Sequence, residues 1–120
     1  MKQPKTQLGA GETLLERWGA NRTQSDQRAV GGHLYLTDQR LLFEPHRFDA
    51  SLSGRGASVP LRDITDVVRV PRDLKHFFGG GLRARLGVVT ARGTHLFVVN
   101  DLAGKARRIL EERDRSRGAG

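Results

Sequence analysis

The side chains in this chain that could do chemistry are bases and aromatic rings. The stretch Arg69-Val70-Pro71-Arg72-Asp73-Leu74-Lys75-His76-Phe77-Phe78-Gly79 sets two adjacent rings beside Arg69, Arg72 and Lys75. Loop aromatics next to cations suit a lipid interface, where rings bury and cations meet anionic headgroups. They suit an aromatic anchor for a protein partner equally well. A third reading has Phe77 or Phe78 folding back to plug the open end of a small barrel. Farther on, Arg83 and Arg85 alternate onto one face of a strand, with Arg69 and Arg72 beside them if the neighbouring strands pair. The competing reading is a solvated face, neutralised in part by Asp63, Asp66 and Asp73. Near the N-terminus a polar loop carries Arg22 and Arg28, with Asp26 between them.

Turnover chemistry lacks its parts. His33, His46, His76 and His95 are scattered without an i,i+4 pair, and there is no cysteine, so no zinc site is expected. No nucleophile elbow, Walker loop or dinucleotide fingerprint occurs. Gly79-Gly80-Gly81 has neither the Lys-Ser/Thr nor the following helix of a phosphate loop. The expectation is a protein with no enzymatic activity, no metal and no cofactor.

The elements that must position these residues are short strands and one helix. At 120 residues the chain is one domain by size. Residues 1–12 read as a flexible leader, 13–112 as the domain and 113–120 as a disordered basic tail. Thr13–Ala20 is an irregular strand, and Asn21–Arg28 reads as a polar loop. Val30–Thr37 places Leu34 and Leu36 on one face, and His33 and Tyr35 on the other. A tight turn at Thr37-Asp38-Gln39-Arg40 leads into Arg40–Pro45, with Asp38 suited to bond nearby backbone. After a Ser- and Gly-rich loop, Ser58-Val59-Pro60 suits a short edge strand, where proline is tolerated. Ile64–Val70, Leu82–Thr90 and Thr94–Val99 complete the set, the last two joined by a turn at Arg92-Gly93. The period then changes to 3.6: Leu102, Ala106, Ile109 and Leu110 form a helical stripe behind an N-cap at Asn100 or Asp101. The longest linker, residues 46–57, only just reaches the dozen residues that a parallel crossover needs at the least, and the others are shorter. The fold class is therefore mainly β, a seven-stranded antiparallel barrel or roll closed by a C-terminal α-helix.

The run Gly31-Gly32-His33-Leu34-Tyr35-Leu36-Thr37-Asp38-Gln39-Arg40-Leu41-Leu42-Phe43-Glu44-Pro45 resembles the signature of GRAM domains. Leu61-Arg62-Asp63-Ile64 and Thr94-His95-Leu96-Phe97-Val98-Val99-Asn100 resemble later pieces of the same family, in order. The similarity covers about Gly11 to Glu112 and suggests a free-standing GRAM domain of the bacterial type. It implies a pleckstrin-homology-like barrel of two near-orthogonal sheets, and a binding module without catalytic residues. Basic residues at the edges of the first loop are the usual phosphoinositide ligands in such relatives. Here that loop offers only Arg22 and Arg28.

Charge points the same way. Arg and Lys number 21 against 13 acids, a net charge of +8 that invites anionic partners. Arg outnumbers Lys 17 to 4, a bias that a genome rich in G and C produces by itself. From Leu82 to Gly120, nine bases and four acids give +5, so most of the excess lies in the last third. The expected partner is an anionic lipid headgroup or, alternatively, a protein, including a second copy of this chain. Nucleic acid has charge in its favour but no stacking platform of aromatics. No apolar run reaches the roughly 20 residues of a membrane span. The expected location is cytoplasmic and, on the lipid reading, peripheral to a membrane. Arg22, Arg28, Arg69, Arg72, Lys75, Arg83 and Arg85 are the candidate anion contacts, and Phe77 and Phe78 the candidate apolar ones.

Overall fold

A computed structural model describes residues 1–25, 28–46, 56–71 and 84–118. Its strands are β1 (Leu14–Ser25), β2 (Arg28–Thr37), β3 (Arg40–Pro45), β4 (Ala57–Pro60), β5 (Ile64–Val70), β6 (Arg85–Thr90) and β7 (Gly93–Val98). One 3-10 turn, Leu61–Asp63, joins β4 to β5, and the helix α1 spans Leu102–Gly118. The strands pair antiparallel in the order β4-β3-β2-β1-β7-β6-β5. The expected mainly β architecture of seven strands with a C-terminal helix is thus the one observed.

Alternation sets the core. Leu34, Leu36, Leu41, Phe43, Leu86, Val88 and Phe97 all turn inward and are buried. The rings of Phe43 and Phe97 meet across the interior at 5.7 Å between centroids. Ile109 closes the core from α1, which packs on β5, β6 and the 3-10 turn. At Gly32 the β2 backbone passes so close to β3 that a Cβ would overlap the Glu44 carbonyl, so only glycine is accommodated. Gly93 holds φ at +144°, which lets the β6–β7 hairpin reverse without a side-chain penalty.

The turn at residues 37–40 differs in detail from the expectation. It is the Thr37 hydroxyl that accepts the amides of Gln39 and Arg40, at 3.1 and 3.0 Å. The Asp38 carboxylate instead accepts the amide of Thr13 at 3.0 Å, tying the approach to β1 onto the hairpin. The helix starts as expected: the Asp101 carboxylate accepts the Gly104 amide at 3.2 Å, the third-residue contact of an N-cap.

Two expectations are corrected. Asn21–Ser25 is not loop but the second half of β1, because β2 pairs with it on one side and β7 on the other. Hydrogen bonding from two neighbours outweighs the poor β propensity of those polar residues. Residues 113–118 are helix rather than tail. Arg113 donates to the Thr65 carbonyl at 2.9 Å and Arg117 to the Ile64 carbonyl at 2.8 Å, so the last turns are strapped to β5. Residues of the leader also contact the sheet. Glu44 accepts the amides of Lys5 and Thr6 at 2.9 and 2.6 Å, and Glu12 takes the Arg40 guanidinium at 2.9 Å.

Candidate functional site

An open cleft of about 1040 Å³ lies between the end of β1, β4, the 3-10 turn and the β6–β7 hairpin. Strand register explains what points into it. Arg22 lies opposite Phe97 across the β1–β7 ladder, and His95 lies opposite Val88 across β6–β7. Phe97 and Val88 are core residues, so Arg22 and His95 extend the inward face to the mouth of the roll. Arg62, from the 3-10 turn, and Arg92, from the hairpin turn, line the same cleft and are exposed. Asp63 is the only carboxylate among the described lining residues, against three guanidinium groups.

The electrostatics favour an anion. Burial draws the Arg22 pKa down from its usual value, yet a guanidinium stays charged at any physiological pH. Burial, and then the positive charge of Arg22, lowers the pKa of His95. His95 is therefore neutral near pH 7 and offers one ring donor and one acceptor without adding charge. Among the described residues, neither Arg62 nor Arg92 forms a side-chain ion pair. The nearby hydroxyls are partly spent on the fold: Thr65 donates to the Val89 carbonyl at 3.1 Å, and Thr90 to that of Gly93 at 3.0 Å.

Of the candidate contacts singled out from sequence, Arg22 alone is among the described residues that line the cleft. Arg28 opens β2, and its side chain lies outside what the structure describes, as do Arg72, Lys75, Phe77, Phe78 and Arg83. The expected stripe through Arg69 and Arg85 does not form between these two. Register sets Arg69 opposite Leu86 and Arg85 opposite Val70, so the two side chains leave opposite faces of the sheet. Arg69 is exposed, whereas Arg85 is only 7% exposed, and its Nε has no hydrogen-bond partner among the described residues. Arg62 and Arg92 were not singled out by sequence. They lie 40 and 70 positions beyond Arg22, and only the topology brings the three together. The one available signal was their place in turns, where a side chain is free to face solvent.

Among the described residues, no three His, Asp or Glu side chains gather to hold a metal, and no helix is long and apolar enough to cross a membrane. The family model for the GRAM domain matches residues 1–88. No curated protein matches the chain. Among solved structures, the Vps36 N-terminal PH domain is similar, with a TM-score of 0.61 at 17% identity over 91% of this chain and 84% of that one. The C-terminal domain of an unknown protein from Leishmania infantum is similar too, with a TM-score of 0.60 at 20% identity over 87% and 86%. At these identities the two likenesses speak to the fold.

Proposed function

This chain belongs to the GRAM domain family, and from that premise we propose that it docks on anionic lipid headgroups at a membrane surface through the cleft of Arg22, Arg62 and Arg92. GRAM and pleckstrin-homology-like domains are in general non-catalytic modules that bind lipids or proteins. The observation that carries the lipid reading is the balance of charge at the mouth of the roll: three guanidinium groups beside one carboxylate among the described lining residues, with Arg62 and Arg92 in no ion pair there. Guanidinium forks match the paired oxygens of a phosphate. Arg22 sits deeper than the other two, where weaker solvent screening strengthens its pull on an anion. Arg62 and Arg92, on exposed turns, would meet headgroups first and give the contact its dependence on salt. A peripheral protein that moves between cytoplasm and membrane surface is the corresponding location.

Flotation of the purified chain with phosphatidylcholine vesicles, and with vesicles that also hold phosphatidylserine or a phosphoinositide, tests this. The expected result is co-flotation with the anionic vesicles only, reduced but not abolished at physiological salt. No flotation at low salt would contradict the lipid reading and favour an adaptor that binds protein instead.

A further inference from the structure

The pairing of β1 is asymmetric. β2 accompanies it from Leu14 to Ser25, but β7 pairs with it only at Asn21–Thr23. Extending that register would set Ala20 opposite Val99 and Gly19 opposite Asn100. There the chain leaves the sheet: Asp101 takes φ = 48° and α1 begins at Leu102. Among the described residues, the first half of β1 is thus a strand with one neighbour, and its second edge faces the start of the helix. An open strand edge is a template for another strand, which natural folds usually cover or blunt.

What lies along this edge is a shallow groove of about 410 Å³, bordered by Arg17, Trp18, Gly19, Val99 and Lys105. Among the described residues, nothing lies within 4 Å of where a Cβ on Gly19 would stand, so the sheet face beside the groove is uncovered at that point. The groove contains no Asp or Glu among its lining residues. Its two cations are held without a carboxylate. Arg17 forms no ion pair among the described residues, and its Nε has no hydrogen-bond partner. Lys105 lies over the Trp18 ring, 5.8 Å from its centroid, and donates to the Asn100 carbonyl.

We infer that this groove takes an extended acidic peptide segment of a partner protein, which adds to β1 as a strand along residues 15–20. The peptide backbone would supply the ladder that β7 stops supplying. Arg17, opposite Tyr35, and Trp18 under Lys105, opposite Leu34, leave β1 on opposite faces, so two consecutive acidic side chains of the peptide would reach them, one on each face. The positive charge bordering the groove selects the occupant. A second copy of this chain docking edge to edge would bring its own Arg17 and Lys105 against the first pair, a like-charge contact that disfavours self-assembly here. The groove shares no residue with the arginine cleft, so this inference stands apart from the lipid reading.

The test is an amide NMR titration of the full chain with a capped Val-rich peptide that carries consecutive Glu pairs, against its counterpart with Gln in place of each Glu. The acidic peptide should shift amides of residues 15–20 and 98–105 saturably, and the Gln form should bind several-fold more weakly. Arg17→Gln and Lys105→Gln should each weaken binding several-fold, while Arg107→Gln, on an exposed helix position, should not. The amide spectrum itself reports whether each variant is folded. Three outcomes would overturn the inference: no shifts at millimolar peptide, shifts confined to residues 90–95 at the cleft, or the same shifts on raising protein concentration alone.

Discussion

The helix and the cleft use the same side chain in opposite ways. On α1, four of the arginines are committed to the framework. Arg108 bridges Glu16 and Glu112, each at 3.1 Å, and Arg115 also holds Glu112, at 2.6 Å. Arg113 and Arg117 donate to the backbone carbonyls of Arg62, Ile64 and Thr65. At the cleft, Arg62 and Arg92 hold no carboxylate among the described residues. Net charge does not distinguish these regions; the commitments of each guanidinium do. The last third of the chain carries most of the formal excess, yet most of its helical arginines fasten the helix to β1 and β5. The charge left over for a ligand is smaller and sits elsewhere.

That contrast can be broken from either side. The largest effect is expected at Glu112, whose side chain is 2% exposed between two arginines. Glu112→Gln leaves both cations without their buried partner and should lower stability by about 3 kcal/mol, read by urea denaturation. Vesicle binding of the variant that remains folded should be unchanged. Next comes removal of residues 113–120. Loss of the Arg113 and Arg117 contacts should cost about 2 kcal/mol, visible as a lower urea midpoint, whereas a loose tail would leave it unchanged.

A smaller, pH-dependent effect belongs to Glu12. Burial works against its charged form, but hydrogen bonds from Thr37, Arg40 and Gly9, with the charge of Arg40, outweigh that and lower its pKa. A carboxyl lowered on folding adds stability that is fully present above the ordinary glutamate pKa and is lost as pH falls through the lowered value. Wild-type stability should therefore fall below the ordinary glutamate range more steeply than that of Glu12→Gln, in urea titrations at a series of pH values. The smallest change in stability should come at the cleft. Arg62→Gln and Arg92→Gln should each stay within about 0.5 kcal/mol of wild type while lowering affinity for anionic vesicles.

How much of this was legible in the sequence depended on which forces set each element. Arg40–Pro45 and Ile64–Val70 could be bounded from their apolar and β-branched runs and from the prolines that end them. The Asp101 cap was legible for the same local reason. The second half of β1 was not, since its pairing with β7 joins residues more than 70 positions apart and Asn21-Arg22-Thr23 has no apolar alternation of its own. Nor were the last turns of α1, which lack an apolar stripe and rest on side-chain bonds to distant carbonyls. Arg85 follows the alternation expected of it and is buried all the same. Alternation fixes the face of a sheet, not what covers that face. For the cleft, Arg22 could be picked out beside the first loop, but its partnership with Arg62 and Arg92 exists only after folding.

The central claim is that position, not net charge, makes this domain bind an anionic surface. The direct test compares vesicle flotation of Arg62→Glu/Arg92→Glu with that of Arg69→Glu/Arg107→Glu, two exposed arginines away from the cleft. Both double variants change the formal charge by the same amount. The account predicts that reversal at the cleft abolishes flotation with phosphatidylserine vesicles at physiological salt, and that reversal elsewhere leaves most of it. Equal losses in the two variants would contradict it, and would reduce the binding to a property of the overall charge.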